Sequence, residues 1–211
     1  MDRLYALVQH ASGDIHRSLV NETSHLHFDY CERWGAEYIL DFTEANDGRT
    51  GHWRKIDLLR RALKDGFRKA LWIDSDAIIV DPNVNIFDAA GYGVAVCECF
   101  DSPTVPRHLN TGVILCTASP QVVSFLDLWD KTPGIGVASW EDQNAFIELM
   151  RGRPYRELLT ILPNRFNCVE THMEASEPVV RHFAGDPDRM EKMRIVAAEA
   201  SERYASKLVP E

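Results

Sequence analysis

The 211-residue chain is 45% hydrophobic and 26% charged, the balance of an ordinary globular protein, and it is long enough to bury one sizeable core. A net charge of −9 argues against a general nucleic-acid binder, which neutralises phosphates with clustered Lys and Arg. No run approaches the roughly 20 apolar residues that a membrane span needs, and polar Gln9 and His10 follow the first apolar positions too soon for a signal peptide.

Five cysteines (Cys31, Cys97, Cys99, Cys116, Cys168) are an odd number in a chain too large to need disulfide staples. Cys97 and Cys99 share a strand face, but no second pair or His follows at zinc spacing. They read as reduced, buried thiols, and the expected location is cytoplasmic.

In chain order, residues 4–9 form a short β-prone run. Leu19, Thr23, Leu26, Tyr30 and Trp34 then recur at helical spacing, with Gly35 as terminator. A second strand is predicted over 36–40, and a helix over 53–64 carries Ile56, Leu59 and Leu63 on one face, closed by Gly66. Residues 69–73 form a buried-strand pattern that runs into Asp74-Ser75-Asp76. The order β-α-β-α-β implies a parallel sheet with right-handed crossovers. Ligands of such sheets sit beyond the carboxyl ends of the strands, where this Asp pair lies.

The second half is less regular. Strands are predicted over 92–97, 113–116, 158–162 and 178–183. Helices are predicted over 120–131, with Pro120 in its first turn, and over 141–151, behind a Pro/Gly loop at 133–139. Asp186-Pro187 offers an N-cap to a terminal helix. No repeat or linker interrupts the chain, so one α/β domain over 1–211 is expected.

Asp74 and Asp76 carry the chemistry. Two carboxylates this close repel unless a cation intervenes. A hard divalent ion such as Mn²⁺ or Mg²⁺ takes oxygen ligands and leaves positions for substrate phosphates. Apolar flanks on both sides, Ala70 to Ile73 and Ala77 to Val80, favour a metal over a solvated Asp-x-Asp. Neither a Gly-x-Gly-x-x-Gly nor a P-loop pattern is present, so a bound diphosphate would lean on the metal, Lys or Arg, and backbone N–H groups. His182, at the end of a predicted strand, is either a third ligand or a satisfied buried ring; Gly185 permits close backbone approach. Glu141, Asp142 and Gln143 open a helix, where acidic residues also serve the helix dipole. Gly112, after Asn110, marks a bulge or a close ligand approach.

Seven segments in order resemble one family: 30–37, 53–56, 71–79, 109–113, 140–145, 162–167 and 180–185. Over residues 20–187 the chain is similar to GT-A fold glycosyltransferases, in particular the fungal galactosyl- and mannosyltransferases and plant xyloglucan xylosyltransferases. The resemblance implies a Rossmann-like, mostly parallel sheet flanked by helices. It also implies a metal-dependent transfer of sugar from a nucleotide diphosphate sugar, with uridine as the base and guanosine as the alternative, to a glycan or other acceptor hydroxyl, with retention. By the same resemblance, Asp76 and His182 ligate the metal, while Asp74 reaches it or the donor ribose, with Ser75 between them. Lys55 lies by the diphosphate, Gly185 brings backbone N–H groups to it, and Val8 and Gln9 receive the base. Asn110 and Asp142 contact sugar hydroxyls, with Gln143 near the anomeric carbon. Trp34 departs from the family, which has histidine there. An inverting reaction would need Asp142 or Glu141 as base. Trp140 and Tyr155 are candidates for the acceptor side. Two rivals stand beside this reading: an α/β phosphohydrolase using Asp74 and Asp76, and an inactive carbohydrate- or nucleotide-binding module.

Overall fold

The computed structural model describes residues 4–44, 49–99, 108–136, 140–170 and 175–206. The first half follows its periodicity. Strand β1 (Tyr5–His10), helix α1 (Gly13–Trp34), strand β2 (Ala36–Asp41), helix α2 (Arg54–Lys64) and strand β3 (Lys69–Ile73) alternate as predicted. Helix α1 starts one and a half turns before the first periodic leucine. It ends at Gly35, whose left-handed backbone returns its N–H to Cys31 and Glu32 carbonyls. β1 pairs in parallel with both β2 and β3.

Beyond Asp76 the chain forms the three-residue strand β4 (Ala77–Ile79). β5 (Val94–Cys99) and β6 (His108–Thr117) come next, then helices α3 (Pro120–Lys131) and α4 (Glu141–Arg151). Strands β7 (Leu159–Leu162), β8 (Cys168–Val169) and β9 (Val180–His182) precede the terminal helix α5 (Arg189–Ser206). Most of the predicted 133–139 loop is coil, and residues 137–139 fall outside the described residues. The predicted strand over 178–183 shrinks to β9, and α5 begins after an extra turn in which the Asp186 carboxylate accepts from the Asp188 N–H.

The main sheet has the order β2-β1-β3-β6-β5-β7, with β6 antiparallel to both its neighbours and the remaining pairs parallel. Its two faces carry separate cores, because successive strand residues point to opposite sides. Leu7, Leu71, Ile73 and Leu115 pack under α1 and α5. Ala6, Val8, Trp72 and Ile114 pack under α2, α3 and α4. A strand covered on both faces reads as a continuous apolar run, as 69–73 does.

The second, three-stranded sheet, β4-β9-β8, positions the site. β4 and β9 pair antiparallel with Ala77 opposite His182, and the Phe183 N–H donates to the Asp76 carbonyl. His182 is therefore clamped beside the Asp74–Asp76 turn from a position more than 100 residues downstream.

Candidate metal and ligand site

A cleft of about 780 Å³ opens at the carboxyl ends of the parallel strands, a size within the usual range for small-molecule sites. Asp74, Ser75, Asp76 and His182 line its floor, Asn110, Gly112, Asp142, Gln143 and Trp140 one flank, and His10, Ser12, His16, Gly51 and His52 the other. Gly185 and Arg189 lie at the rim contributed by the segment leading into α5.

Asp74, Asp76 and His182 each offer a ligand atom within 4.8 Å of the others. His182 Nε2 is 3.3 Å from Asp76 Oδ1 and 3.9 Å from Asp74 Oδ2. The orientation of the ring is built in. Gly112 N–H and Asn167 Nδ2 both donate to Asn110 Oδ1, which leaves Asn167 Oδ1 to accept from His182 Nδ1 at 2.9 Å. With Nδ1 as donor, Nε2 turns its lone pair toward two carboxylates. Three anionic or lone-pair atoms face one point, an arrangement that only a cation or a proton makes favourable. The donor set of two carboxylates and one imidazole suits Mn²⁺ or Mg²⁺, and the Asn167 contact is the outer hydrogen bond that metal-binding histidines use. Burial works against a charged His182, but the hydrogen bond and charge of Asp76, with Asp74 behind it, raise its pKa above the ordinary histidine value. Burial would raise Asp76, but the His182 contact holds it below the usual carboxylate range.

Gly112 makes this possible. A Cβ built there would lie 2.2 Å from His182 Cε1, so only glycine lets the ring in. β6 bulges at the same point, since its register against β5 jumps between Val96–Ile114 and Cys97–Asn110. Of the two alternatives read from the sequence, the bulge is present, and the close neighbour of Gly112 is the His182 ring.

Asp74 is braced from behind by Trp72, whose indole N–H donates to Oδ1 at 2.6 Å. Lys55, 2% exposed, sits 2.9 Å from Asp142 Oδ2 and 3.5 Å from Asp74 Oδ1, and donates to the Thr111 hydroxyl and carbonyl. At 2.9 Å the Lys55–Asp142 contact is a close buried ion pair. Burial lowers the Lys55 pKa, yet the charges of Asp142 and Asp74 outweigh it and leave it raised. Gln143 Oε1 accepts from the Thr111 N–H, and Ser75 Oγ lies 2.7 Å from His16 Nδ1.

Val8 and Gln9, which the resemblance assigns to the base, do not reach the cleft. Both are fully buried because β1 is an inner strand covered on both faces. Gln9 is spent internally, donating to the Asp74 carbonyl and accepting from Tyr38 and His27. The ladder continues to His10, and it is His10 and Ser12 that line the cleft. Tyr155 packs against Phe125 in the core, whereas Trp140 is 47% exposed at the cleft. The sequence reading gave Asn167 no role. It stands in a short segment without periodicity, and the one signal was its place in the 162–167 motif.

All five cysteines are buried, as predicted, with no disulfide among the described residues, and no helix among those residues is long and apolar enough to cross a membrane.

No family model and no curated protein matches the chain. Solved structures do. A glycosyltransferase involved in glycosylation of the major capsid of PBCV-1 superposes with a TM-score of 0.70 at 14% identity, over 91% of this chain and 99% of that one. GlyE of Streptococcus pneumoniae TIGR4 gives 0.58 at 12% identity, over 98% of this chain and 65% of that one. A Drosophila β1,4-galactosyltransferase 7 variant in complex with manganese, UDP-Gal and xylobiose gives 0.50 at 13% identity, over 85% and 71%. The fold is the GT-A fold. Within it, the Asp74–Asp76 turn occupies the carboxyl end of an inner strand, where open α/β sheets bind ligands.

Proposed function

We propose that the chain is a metal-dependent glycosyltransferase that moves a sugar from a nucleotide diphosphate sugar, with uridine as the base, to a glycan or other acceptor hydroxyl. The observation that carries this is the His182 ring, held by Asn167 with Nε2 aimed at Asp74 and Asp76. A divalent ion held there supplies Lewis acidity toward a leaving diphosphate. Asp76 and His182 are the direct ligands, and Asp74, the more open carboxylate, reaches the ion or the donor ribose.

The chain's own groups divide the remaining work. Arg189 and the Gly185 backbone, with its φ of 69°, face the diphosphate from the rim. Lys55 contributes its charge from behind the carboxylates, 2.9 Å from Asp142 Oδ2 and 3.5 Å from Asp74 Oδ1. Asn110 and Asp142 meet the donor sugar hydroxyls, and Gln143 lies near the anomeric carbon, an arrangement that suits retention. The large Lys55-paired carboxylate wall disfavours Asp142 as a general base, since a base must give its lone pair to the acceptor rather than to a buried ammonium.

The test is thermal unfolding with UDP, GDP, CDP and ADP, each with Mn²⁺ or with chelator, on the wild type and on Asp76→Ala. A nucleotide at 100 times its dissociation constant stabilises the native state by roughly 2.7 kcal/mol. The expected result is a metal-dependent shift with UDP that Asp76→Ala abolishes. A wild type that no nucleotide stabilises with Mn²⁺ ends this reading.

A further inference from the structure

Beyond the Asp74–Asp76 turn, the end of the cleft away from β1 has two unlike walls. One is polar and already committed in part. Asn110 Oδ1 accepts from the Gly112 N–H and from Asn167 Nδ2, so the amide keeps Nδ2 for a ligand. Gln143 spends Oε1 on the Thr111 N–H and likewise keeps Nε2. With the Asp142 carboxylate beside them, this wall offers amide donors and an anionic acceptor to a set of hydroxyls.

The other wall is apolar. Cys99 and Val169, 3% and 2% exposed, line the cleft together with Ala184. The strand ladders set Cys99 and Val169 beside Asn110. In the β5–β6 pair, Cys97 stands opposite Asn110, and Cys99, two residues further on, falls on the same face. On β8, Val169 follows two residues after Asn167, whose amide reaches Asn110, and stands opposite His182. The Cys99 thiol lies 3.2 Å from His108 Nε2. Its hydrogen-bonding capacity goes to that imidazole, and a reduced cysteine otherwise behaves as a small hydrophobe. Among the described residues of this wall there is no carboxylate, amide or hydroxyl side chain.

A pyranose placed here has an equally uneven outline. Its anomeric carbon is held at the diphosphate, over the Asp74–Asp76 turn and near Gln143. Its hydroxyls run along one edge, C2 to C4, and the opposite edge is the ring oxygen and C5. With Asn110 and Asp142 on the hydroxyls, C5 turns to Cys99, Val169 and Ala184. A hydroxymethyl group at C5 gives up its water contacts there, and its hydroxyl finds only His108, already paired with Cys99. A polar group buried without a replacement partner weakens binding.

We infer that the donor sugar carries no hydroxymethyl group at C5: the site takes a pentopyranose or a 6-deoxyhexose, with hydrogen or methyl against the apolar wall. The inference rests on the function proposed above and narrows its substrate class. Cys99 and Val169 are the residues that set this specificity.

Dissociation constants are measured by calorimetry with Mn²⁺ for UDP, UDP-glucose, UDP-6-deoxyglucose and UDP-xylose, which share one ring configuration, and for the matching galacto-configured set. The proteins are the wild type, Val169→Thr and Cys99→Ser. A pocket that leaves an added hydroxyl unpartnered discriminates by about 10- to 100-fold. In one of the two sets, the 6-deoxy sugar or the pentose binds tighter than the parent hexose by that factor. The 6-deoxy sugar ahead of the pentose assigns the wall to a methyl group, and the reverse order assigns it to hydrogen. Val169→Thr and Cys99→Ser put a hydroxyl on the wall and narrow the gap by tightening the hexose, while UDP itself binds as before. A wild type that binds UDP but takes the hexose as well as or better than its analogues in both sets overturns the inference and leaves the transferase reading intact. So does a gap that neither variant changes. A wild type that binds no nucleotide overturns both. Should either variant fail to fold, the wild-type series with the other still decides.

Discussion

The two sides of the cleft are built on opposite plans. Around His182 the polar chain closes on itself: Gly112 N–H and Asn167 on Asn110, Asn167 on His182, and His182 on the two aspartates. Around His10 the support ends at the ring, and Nε2 points at nothing the protein supplies. A fully partnered group has its position fixed before any ligand arrives, which suits a metal whose geometry must be exact to a few tenths of an ångström. A group left with one unpartnered nitrogen has that nitrogen's partner still to come from whatever enters the cleft.

The comparison breaks most severely at Lys55. This ammonium neutralises Asp142, whose side chain is 3% exposed, and leans on Asp74. Lys55→Met keeps the stem's volume and leaves Asp142 buried without its partner. Removing one member of a buried ion pair costs about 3–5 kcal/mol, read as a lowered urea midpoint with an unchanged slope. A smaller loss would mean that Asp142 turns out to solvent.

Gly112→Ala comes next and tests the closed side directly. The new Cβ meets His182 Cε1 at 2.2 Å and Asn110 Oδ1 at 2.9 Å, so the ring must swing away. Overpacking of this kind costs about 1–3 kcal/mol, and the Mn²⁺-dependent shift with UDP should disappear with it. A variant that keeps the full shift would show that His182 does not hold the metal.

How much of this could be read beforehand follows from the range of the interactions. The β-α-β-α-β order was legible because α1 and β3 announce themselves within a dozen residues, one by helical recurrence and one by an unbroken apolar run. Asp74 and Asp76 stood out because carboxylates between apolar flanks are costly. His182 as a partner of Asp76 depends on β4 and β9, two three-residue strands too short for any periodicity. That Val8 and Gln9 are buried was not legible: a pattern shows where a strand weakens, not where its last ladder pair falls, and here that pair is His10 with Asp41. Asn167 was illegible as a functional residue because its role is to face two other side chains, which no local pattern records.

The smallest effect is expected at Asn167, and it separates the two sides most cleanly. Asn167→Ala leaves Asn110 Oδ1 its backbone donor, Gly112 N–H, so the bulge survives. It removes the acceptor from His182 Nδ1, and the ring is free to choose the other tautomer and present N–H where a lone pair is needed. Losing such an outer contact typically lowers metal affinity by about 10- to 100-fold. Titration of Mn²⁺ alone into Asn167→Ala should show that loss, whereas His10→Phe, on the open side, should bind Mn²⁺ like the wild type. Equal Mn²⁺ affinity in wild type and Asn167→Ala would mean that Asp74 and Asp76 hold the ion without a fixed imidazole, and the closed side would then be scaffolding rather than ligand design.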